Sequence, residues 1–372
     1  MGKYLIKLKP LEPYFFGGER TFGFGNKTKQ KQPYYIVSEY TPSQPTLFGT
    51  LRYIVLAQNN ALIEQSDNDQ EKSKKLKRIE ELVGENSFSF EKARNGEKQT
   101  FGKIEKISPL FLIKDEKWYI RTPFNHNPGP KNAQNSNYTP FTMEKMESLS
   151  VTSGDNTSLF PVDYKTKNGY DGGYVSLDEN LDIIPEYKIF QSVVRTGIDS
   201  HRTDDNTQGI NDENSFFKKE RKMLQKDYSF AFIAEVKDSL TAEETVVFMG
   251  QDKSPFRCTI TEINEELDLK KIVKGTFKDK GKNVCNVFYA LSDVMPIDDK
   301  FPGESKFDYY IADTKVLRNL ESKMDAPSYY ARLKKSEKLY KLITSGSVFF
   351  TNNDVFKCEA LEVIGMNILI KI

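Results

Sequence analysis

The chain has 372 residues, and its 54 Lys and Arg against 53 Asp and Glu leave a formal net charge of +1. A uniformly basic polyanion-binding coat is therefore excluded, while local basic faces are not. The length suffices for two domains, and at a mean hydropathy of −0.59 no apolar run nears the ~20 residues of a membrane helix. The opening ten residues alternate charged and apolar side chains, unlike a signal peptide. Cys258, Cys285 and Cys358 are widely spaced with no CxxC pair. The expectation is a soluble, cytoplasmic protein with no disulfide framework and no cysteine metal site.

In chain order, residues 3–9 alternate as an edge or face strand. Residues 13–25 are too rich in glycine for regular structure and read as a loop. A helix is predicted over 45–63, with Ser43 as N-cap, Pro45 in the first turn and Leu47, Leu51, Ile54, Val55 and Leu62 on one face. A second, Lys- and Glu-rich helix runs over 69–83 and stops at Gly84. Residues 104–113 and 117–122 form a hairpin across Lys114-Asp-Glu116. The polar stretch 125–160, rich in Asn, Ser, Thr and Pro, reads as a long insertion.

Strands are expected over 187–195, 220–225, 228–236, 246–250, 257–263 and 284–291. Short helices are expected near Thr241 and over 314–320, and closing strands over 339–350, 355–359 and 366–372. Strands dominate and no repeat of 20–50 residues occurs. The fold class is α+β, built from split βαβ units. The division falls where the polar insert gives way to strands: an N-terminal domain over 1–180, with the insertion at about 125–160, and a C-terminal domain over 181–372.

Residues 1–60 concentrate charge, with eight Lys and Arg against three Glu, and hold eleven Phe and Tyr. Cations screen phosphates and exposed aromatics stack on unpaired bases, the combination that grips single-stranded nucleic acid. A basic surface over an aromatic core gives the same composition. Catalytic motifs are missing: no dinucleotide fingerprint follows Gly23-Phe-Gly25, and no P-loop, H-E-x-x-H, G-x-S-x-G or EF-hand loop occurs. The acid pairs Asp204-Asp205 and Asp298-Asp299 read as solvated turn residues. His201, in Arg195-Thr-Gly-Ile-Asp-Ser-His-Arg202, could serve as a general acid/base beside cations or as a plain contact.

Several phrases in order resemble the RAMP-superfamily subunits of CRISPR effector complexes, and most closely the Cmr (type III-B) subunit that holds the 5′ handle of the guide RNA. They are Pro10-Leu-Glu-Pro-Tyr-Phe-Phe-Gly-Gly-Glu-Arg-Thr-Phe22 and Pro42-Ser-Gln-Pro-Thr-Leu-Phe-Gly-Thr-Leu-Arg52. Arg195-Thr-Gly-Ile198 follows, with Ser215-Phe-Phe-Lys-Lys-Glu-Arg221. Next come Val247-Phe-Met-Gly-Gln-Asp-Lys-Ser-Pro-Phe256, Ile343-Thr-Ser-Gly-Ser-Val-Phe-Phe350 and Ile364-Gly-Met-Asn367. The resemblance implies two ferredoxin-like (RRM-like) domains with long irregular insertions and a non-catalytic RNA-binding role in antiviral defence. Implied partners are the crRNA 5′ handle, the large polymerase-like subunit and a neighbouring RAMP backbone subunit. No cofactor, membrane or small-molecule substrate is implied.

On this reading Gly17, Gly18 and Gly23 let backbone N–H groups approach phosphates. Arg20 and Lys27 add charge, and Phe22 and Phe24 are stacking candidates. Ser43 and Thr46 open a helix whose terminal amides suit an anion. Arg52 is a phosphate or base contact, or an internal tie between helix and sheet. Arg195, Gly197, His201 and Arg202 form the second cluster. Two rivals remain: a RAMP endoribonuclease using His201 with Lys218 or Lys219 to process precursor crRNA, and a protein-only assembly subunit.

Overall fold

The structure is a computed structural model that describes residues 2–22, 34–127, 136–146, 158–161, 173–198, 216–250, 252–264, 266–278, 285–296, 307–325, 330–335, 338–351 and 358–372. The chain opens with β1 (Gly2–Pro10), whose alternation buries Tyr4, Ile6 and Leu8 on one face. After β2 (Gly17–Phe22) and β3 (Tyr34–Ser38), α1 (Gln44–Gln58) begins with Pro45 in its first turn and buries Leu47, Phe48, Leu51, Ile54 and Val55. It ends five residues earlier than the periodicity suggests, where Asn60 takes a φ of 49°. α2 (Asp69–Val83) matches its expected span. Asn68 and Glu71 close a capping box at its start, and Gly84 ends it at a φ of 79°.

Next come α3 (Phe90–Arg94), β4 (Ile104–Ile107), β5 (Phe111–Lys114) and β6 (Lys117–Arg121). Asp115 and Glu116, both at positive φ, make the two-residue turn between β5 and β6. The expected insertion contributes β7 (Ser136–Asn137), β8 (Met143–Met146) and β9 (Ser158–Pro161), and much of it lies outside the described residues. Then follow β10 (Gly173–Ser176), β11 (Asp182–Pro185), α4 (Glu186–Ile189), β12 (Phe190–Ile198), β13 (Phe216–Leu224), β14 (Tyr228–Val236), β15 (Glu244–Met249) and β16 (Ser254–Glu262). The last stretch holds α5 (Leu269–Phe277), β17 (Val287–Ala290), β18 (Tyr309–Ile311), β19 (Thr314–Leu317), β20 (Leu320–Asp325) and β21 (Tyr330–Lys335). β22 (Tyr340–Ile343), β23 (Val348–Phe350), α6 (Glu359–Glu362) and β24 (Leu369–Lys371) close the chain.

A ten-stranded sheet runs β15-β16-β1-β14-β5-β6-β10-β11-β7, with β4 also on β14. Its segment β5-β14-β1-β16 is antiparallel throughout and takes those strands in the order second, third, first, fourth along the chain. The separate sheet β18-β23-β17-β24 repeats that order, again antiparallel. A third sheet, β12-β13-β3-β2, stands apart from both. One apolar cluster packs α1, α2 and the inner face of β1, β14 and β16, including Ile6, Phe230 and Phe256. A second packs the other face of the large sheet, with Leu5, Phe111 and Ile233, against α5, β17 and β23. No helix among the described residues is long and apolar enough to cross a membrane.

The architecture is mixed, with sheets prevailing over six helices among the described residues. Several expectations need correction. Gly17 and Gly18 do not prevent a strand: β2 pairs with β3, and a bulge between Gly17 and Arg20 places Gly18 and Glu19 opposite the single residue Val37. No helix forms near Thr241, because the Gln58 side chain takes both its backbone N–H (3.0 Å) and its C=O (3.0 Å). Residues 314–317 alternate outward and inward as β19, paired with β22, rather than forming a helix. Glu359 opens α6 where a strand was expected. α5, capped by Asp268, has no counterpart in the expected elements. In the large sheet β1 pairs with β14 on one side and β16 on the other, so strands from both sides of residue 180 share it.

Candidate nucleic-acid interface

β12 and β13 form a hairpin with nine paired positions, about 30 Å long at ~3.3 Å per residue. Its base is anchored by Phe190 and Leu224, both in the main core, whereas Gln191, Ser192 and Val194 to Thr196 are exposed. β3 runs parallel to β13, and β2 antiparallel to β3. The direction of these pairings puts the end of β2, the start of β3 and the open ends of β12 and β13 at one end of this sheet. Phe22 pairs there with Tyr34, and Ile198 with Phe216.

Register ties the two expected clusters together. Arg20 pairs with Ile36, Ile36 with Lys219, and Lys219 with Arg195, so one row of Cα positions crosses all four strands. At ~4.8 Å per strand the row spans about 14 Å. Gly17, Gly18, Arg20 and Phe22 are thus on the strand at one edge of the sheet that carries Arg195 and Gly197 at the other. Gly23, Phe24, Lys27, His201 and Arg202 lie outside the described residues.

β13 reads Phe-Phe-Lys-Lys-Glu-Arg-Lys-Met-Leu, and its alternation splits the cations between two faces. On one face Asp252 bridges Lys219 (Nζ to Oδ1, 2.6 Å) and Arg221 (Nη2 to Oδ2, 2.8 Å). The Lys219 ammonium also sits 3.9 Å from the Phe15 ring centre. Asp252 belongs to the turn after β15, where Gly250 at a φ of 77° lets the backbone pass Phe15; a Cβ there would come 2.3 Å from the Phe15 carbonyl oxygen. Three of the quoted phrases, containing Phe15, Lys219 and Asp252, therefore meet at one point.

On the opposite face Lys222, only 3% exposed, donates to Glu220 and to Ser192 Oγ (3.0 Å), and its ammonium lies 4.2 Å from the Tyr40 ring centre. Glu220 also accepts from Ser192 (2.6 Å) and from the Tyr35 hydroxyl. Burial alone would raise the Glu220 pKa. The hydrogen bonds from Lys222, Ser192 and Tyr35, with the Lys222 charge, outweigh it and hold the pKa at about 2. The bond to Glu220, helped by burial, pushes Tyr35 up to about 12. This network joins β3, β13 and β12. Arg195 and Lys218, both exposed, form no ion pair with a described residue. Sequence reasoning missed Tyr35, Glu220, Lys222 and Asp252 as parts of the site; the Lys-Lys-Glu-Arg-Lys run was the available signal.

The remaining expected residues sit elsewhere. Ser43 and Thr46 share a hydroxyl–hydroxyl bond (2.9 Å) at the start of α1. Beside them Gln44 donates to the carbonyls of Ser108 (3.1 Å) and Gly365 (2.8 Å). Arg52 binds the carbonyls of Asn86 and Gly84 (3.2 Å to the latter), and burial lowers its pKa to about 10. It ties α1 to the chain leaving α2, an internal link, though to a loop rather than to the sheet. Tyr4, Tyr14, Phe15, Phe16 and Phe48 are buried, so these five aromatics of the N-terminal stretch build the core, while Tyr40 and Tyr53 are exposed. Among the described residues no group of three His, Cys, Asp or Glu forms a potential metal site.

A family model described as CRISPR-associated protein (Cas_Cmr3) matches residues 6–353. The chain belongs to this family. Among solved structures it is similar to a chain of the type III-B Cmr-beta complex bound to cognate target RNA, studied by cryo-EM. That match has 13% identity and a TM-score of 0.45, covering 94% of this chain and 86% of that one. A second, from the same complex bound to cognate target RNA and AMPPnP (state 1), has 13% identity, a TM-score of 0.42 and the same coverage. No curated protein matches the sequence.

Proposed function

We propose that this Cas_Cmr3 family member is a non-catalytic RNA-binding subunit of a type III-B CRISPR ribonucleoprotein, gripping the crRNA 5′ handle with the β12-β13-β3-β2 sheet. The carrying observation is the shared row from Arg20 to Arg195, with β2, β3, β12 and β13 opening toward the same end. The bulge at Gly18 leaves backbone N–H groups outside the ladder, where a phosphate approaches without meeting a Cβ. Arg195 supplies a cation outside the ion pairs of the described residues, about 14 Å away across three ~4.8 Å strand spacings. The second-third-first-fourth order of β5-β14-β1-β16 and of β18-β23-β17-β24 favours two ferredoxin-like units, as in the RAMP superfamily. In the assembly the chain also docks the large polymerase-like subunit and a neighbouring backbone subunit.

The test is titration of handle RNA into the purified chain at several salt concentrations. Arg195→Ala is expected to weaken binding and flatten the slope of log K against log salt by about one unit. Arg52→Ala, whose guanidinium serves the α2 exit, leaves that slope unchanged while lowering stability by about 1–2 kcal/mol. An Arg195→Ala slope equal to wild type removes the sheet from the RNA site. Repeat RNA is expected to stay intact during incubation; site-specific cutting lost in His201→Ala would overturn the non-catalytic role.

A further inference from the structure

A charged helix on the far face of the large sheet plays no part in the handle-binding reading. α5 buries Leu269, Val273 and Phe277 in the cluster that also holds Leu5, Phe111 and Ile233. The β12-β13 hairpin is rooted by Phe190 and Leu224 in the other cluster, so helix and hairpin belong to opposite faces of that sheet. Away from its buried side α5 carries Lys270, Lys271, Lys274 and, at its C-cap, Lys278, all exposed. At about 100° per residue these four positions fall within an arc of about 100°, and at ~1.5 Å per residue they extend over about 12 Å.

From Leu269 to Lys278 the chain holds no Asp or Glu. Lys270 reaches Glu362 (3.0 Å) through a contact between half-exposed side chains, and the Asp268 carboxylate caps the Lys270 backbone N–H (2.8 Å). Lys271, Lys274 and Lys278 form no ion pair with a described residue. α2 differs, balancing five cations with Asp69, Glu71, Glu80 and Glu81, the mixed pattern of a solvated face. Concentrated like charge repels itself, and an anion relieves it. No large apolar side chain is exposed on α5. Protein interfaces are depleted in Lys and centre on aromatic, apolar or Arg anchors, so a protein partner finds no anchor here, whereas a phosphate backbone needs none. We infer that α5 is a second RNA-binding surface, holding the phosphates of a single strand irrespective of its sequence. Lysine ammonium groups act on phosphates as point charges and do not form the bidentate forks that read base edges. This inference takes from the proposed function only that the chain works on RNA, not where the handle binds.

The experiment titrates the full chain at several salt concentrations with two RNAs, the handle oligonucleotide and an oligouridylate that lacks the handle sequence. Lys271→Ala combined with Lys274→Ala is expected to weaken oligouridylate binding several-fold. Its slope of log K against log salt is expected to fall by about 1.4, from two phosphate contacts at ~0.7 each. Handle affinity in that variant is expected to stay within twofold, and Arg195→Ala is expected to show the reverse pattern. Lys74→Ala combined with Lys77→Ala removes the same charge from exposed positions of α2 and is expected to leave oligouridylate binding within twofold of wild type. In the assembled ribonucleoprotein, a photo-crosslinking residue at position 274 is expected to label RNA. A wild-type slope in the α5 variant, an equal loss in the α2 variant, or crosslinks to protein alone would each overturn the second surface. Equal wild-type affinity for the two RNAs would instead overturn the handle-binding reading.

Discussion

Replacing Glu220 with Gln tests whether the hairpin is held by charge. The native carboxylate has a pKa of about 2 against an ordinary 4.5, and its side chain is 12% exposed. A shift of that size corresponds to about 3 kcal/mol favouring the ionised form in the folded state. Glu220→Gln keeps the shape and deletes the charge, leaving the Lys222 ammonium buried against Ser192 and the Tyr40 ring. The expected loss is therefore about 3 kcal/mol, the range seen when one member of a buried pair is removed. Amides of β12 and β13 would then exchange roughly a hundredfold faster, if local opening governs them. The sign with pH follows from the depressed pKa: the contribution is complete above about pH 4.5 and disappears as pH falls toward 2. Adding Lys222→Met removes the stranded charge and is expected to restore much of the protection. Unchanged hairpin exchange in Glu220→Gln at neutral pH would refute the idea that this pair orders the arm.

Two further outcomes follow from the same geometry. Gly250→Ala forces a Cβ to within 2.3 Å of the Phe15 carbonyl at a φ of 77°, and is expected to lower the unfolding free energy by at least about 2 kcal/mol in urea titration. His126 is buried, which pushes its pKa down to about 4 despite the backbone contact with Thr139. The unfolded chain therefore takes up this proton first, so stability falls as pH drops from about 6.5 to 4. His126→Gln should abolish that slope in pH-dependent thermal unfolding while leaving the Glu220 window below it.

Local signals carried much of the fold. The Lys- and Glu-rich run stopping at Gly84 bounded α2 to the residue, and the apolar run from Tyr228 to Val236 bounded β14, because both signals are carried by neighbours in sequence. Signals that depend on distant partners misled. Gly17-Gly18 looks like a loop until β3 supplies the strand that a bulge can pair with. Residues 314–317 look helical until β22 takes their backbone groups, and at Thr241 the distant Gln58 side chain takes the backbone N–H and C=O. The pairing of β1 with strands from 228–236 and 254–262 has no local signal either. For the candidate site, Arg20 and Arg195 were each legible as cations, but their common row was not, since no local pattern encodes a pairing across nearly two hundred residues. The dense aromatics of the first sixty residues were ambiguous for the same reason: burial of Tyr14, Phe15 and Phe16 is a tertiary fact.

What the distant pairing achieves is precision of register. In a sheet, a slip of one residue would turn Arg195 to the other face and bring Thr196 into the row with Lys219 and Ile36. An exposed hairpin with polar residues on both faces has little hydrophobic content to prevent such a slip. Two charged contacts on opposite faces of β13 fix it instead. Asp252 holds Lys219 and Arg221 from one side, and the group of Tyr35, Glu220, Ser192 and Lys222 locks three strands from the other. These ties consume three of the four cations of β13 and leave Lys218 with Arg195 exposed. The basic strand is thus mainly a register device, and Lys218 with its neighbour Arg195 stays outside those ties.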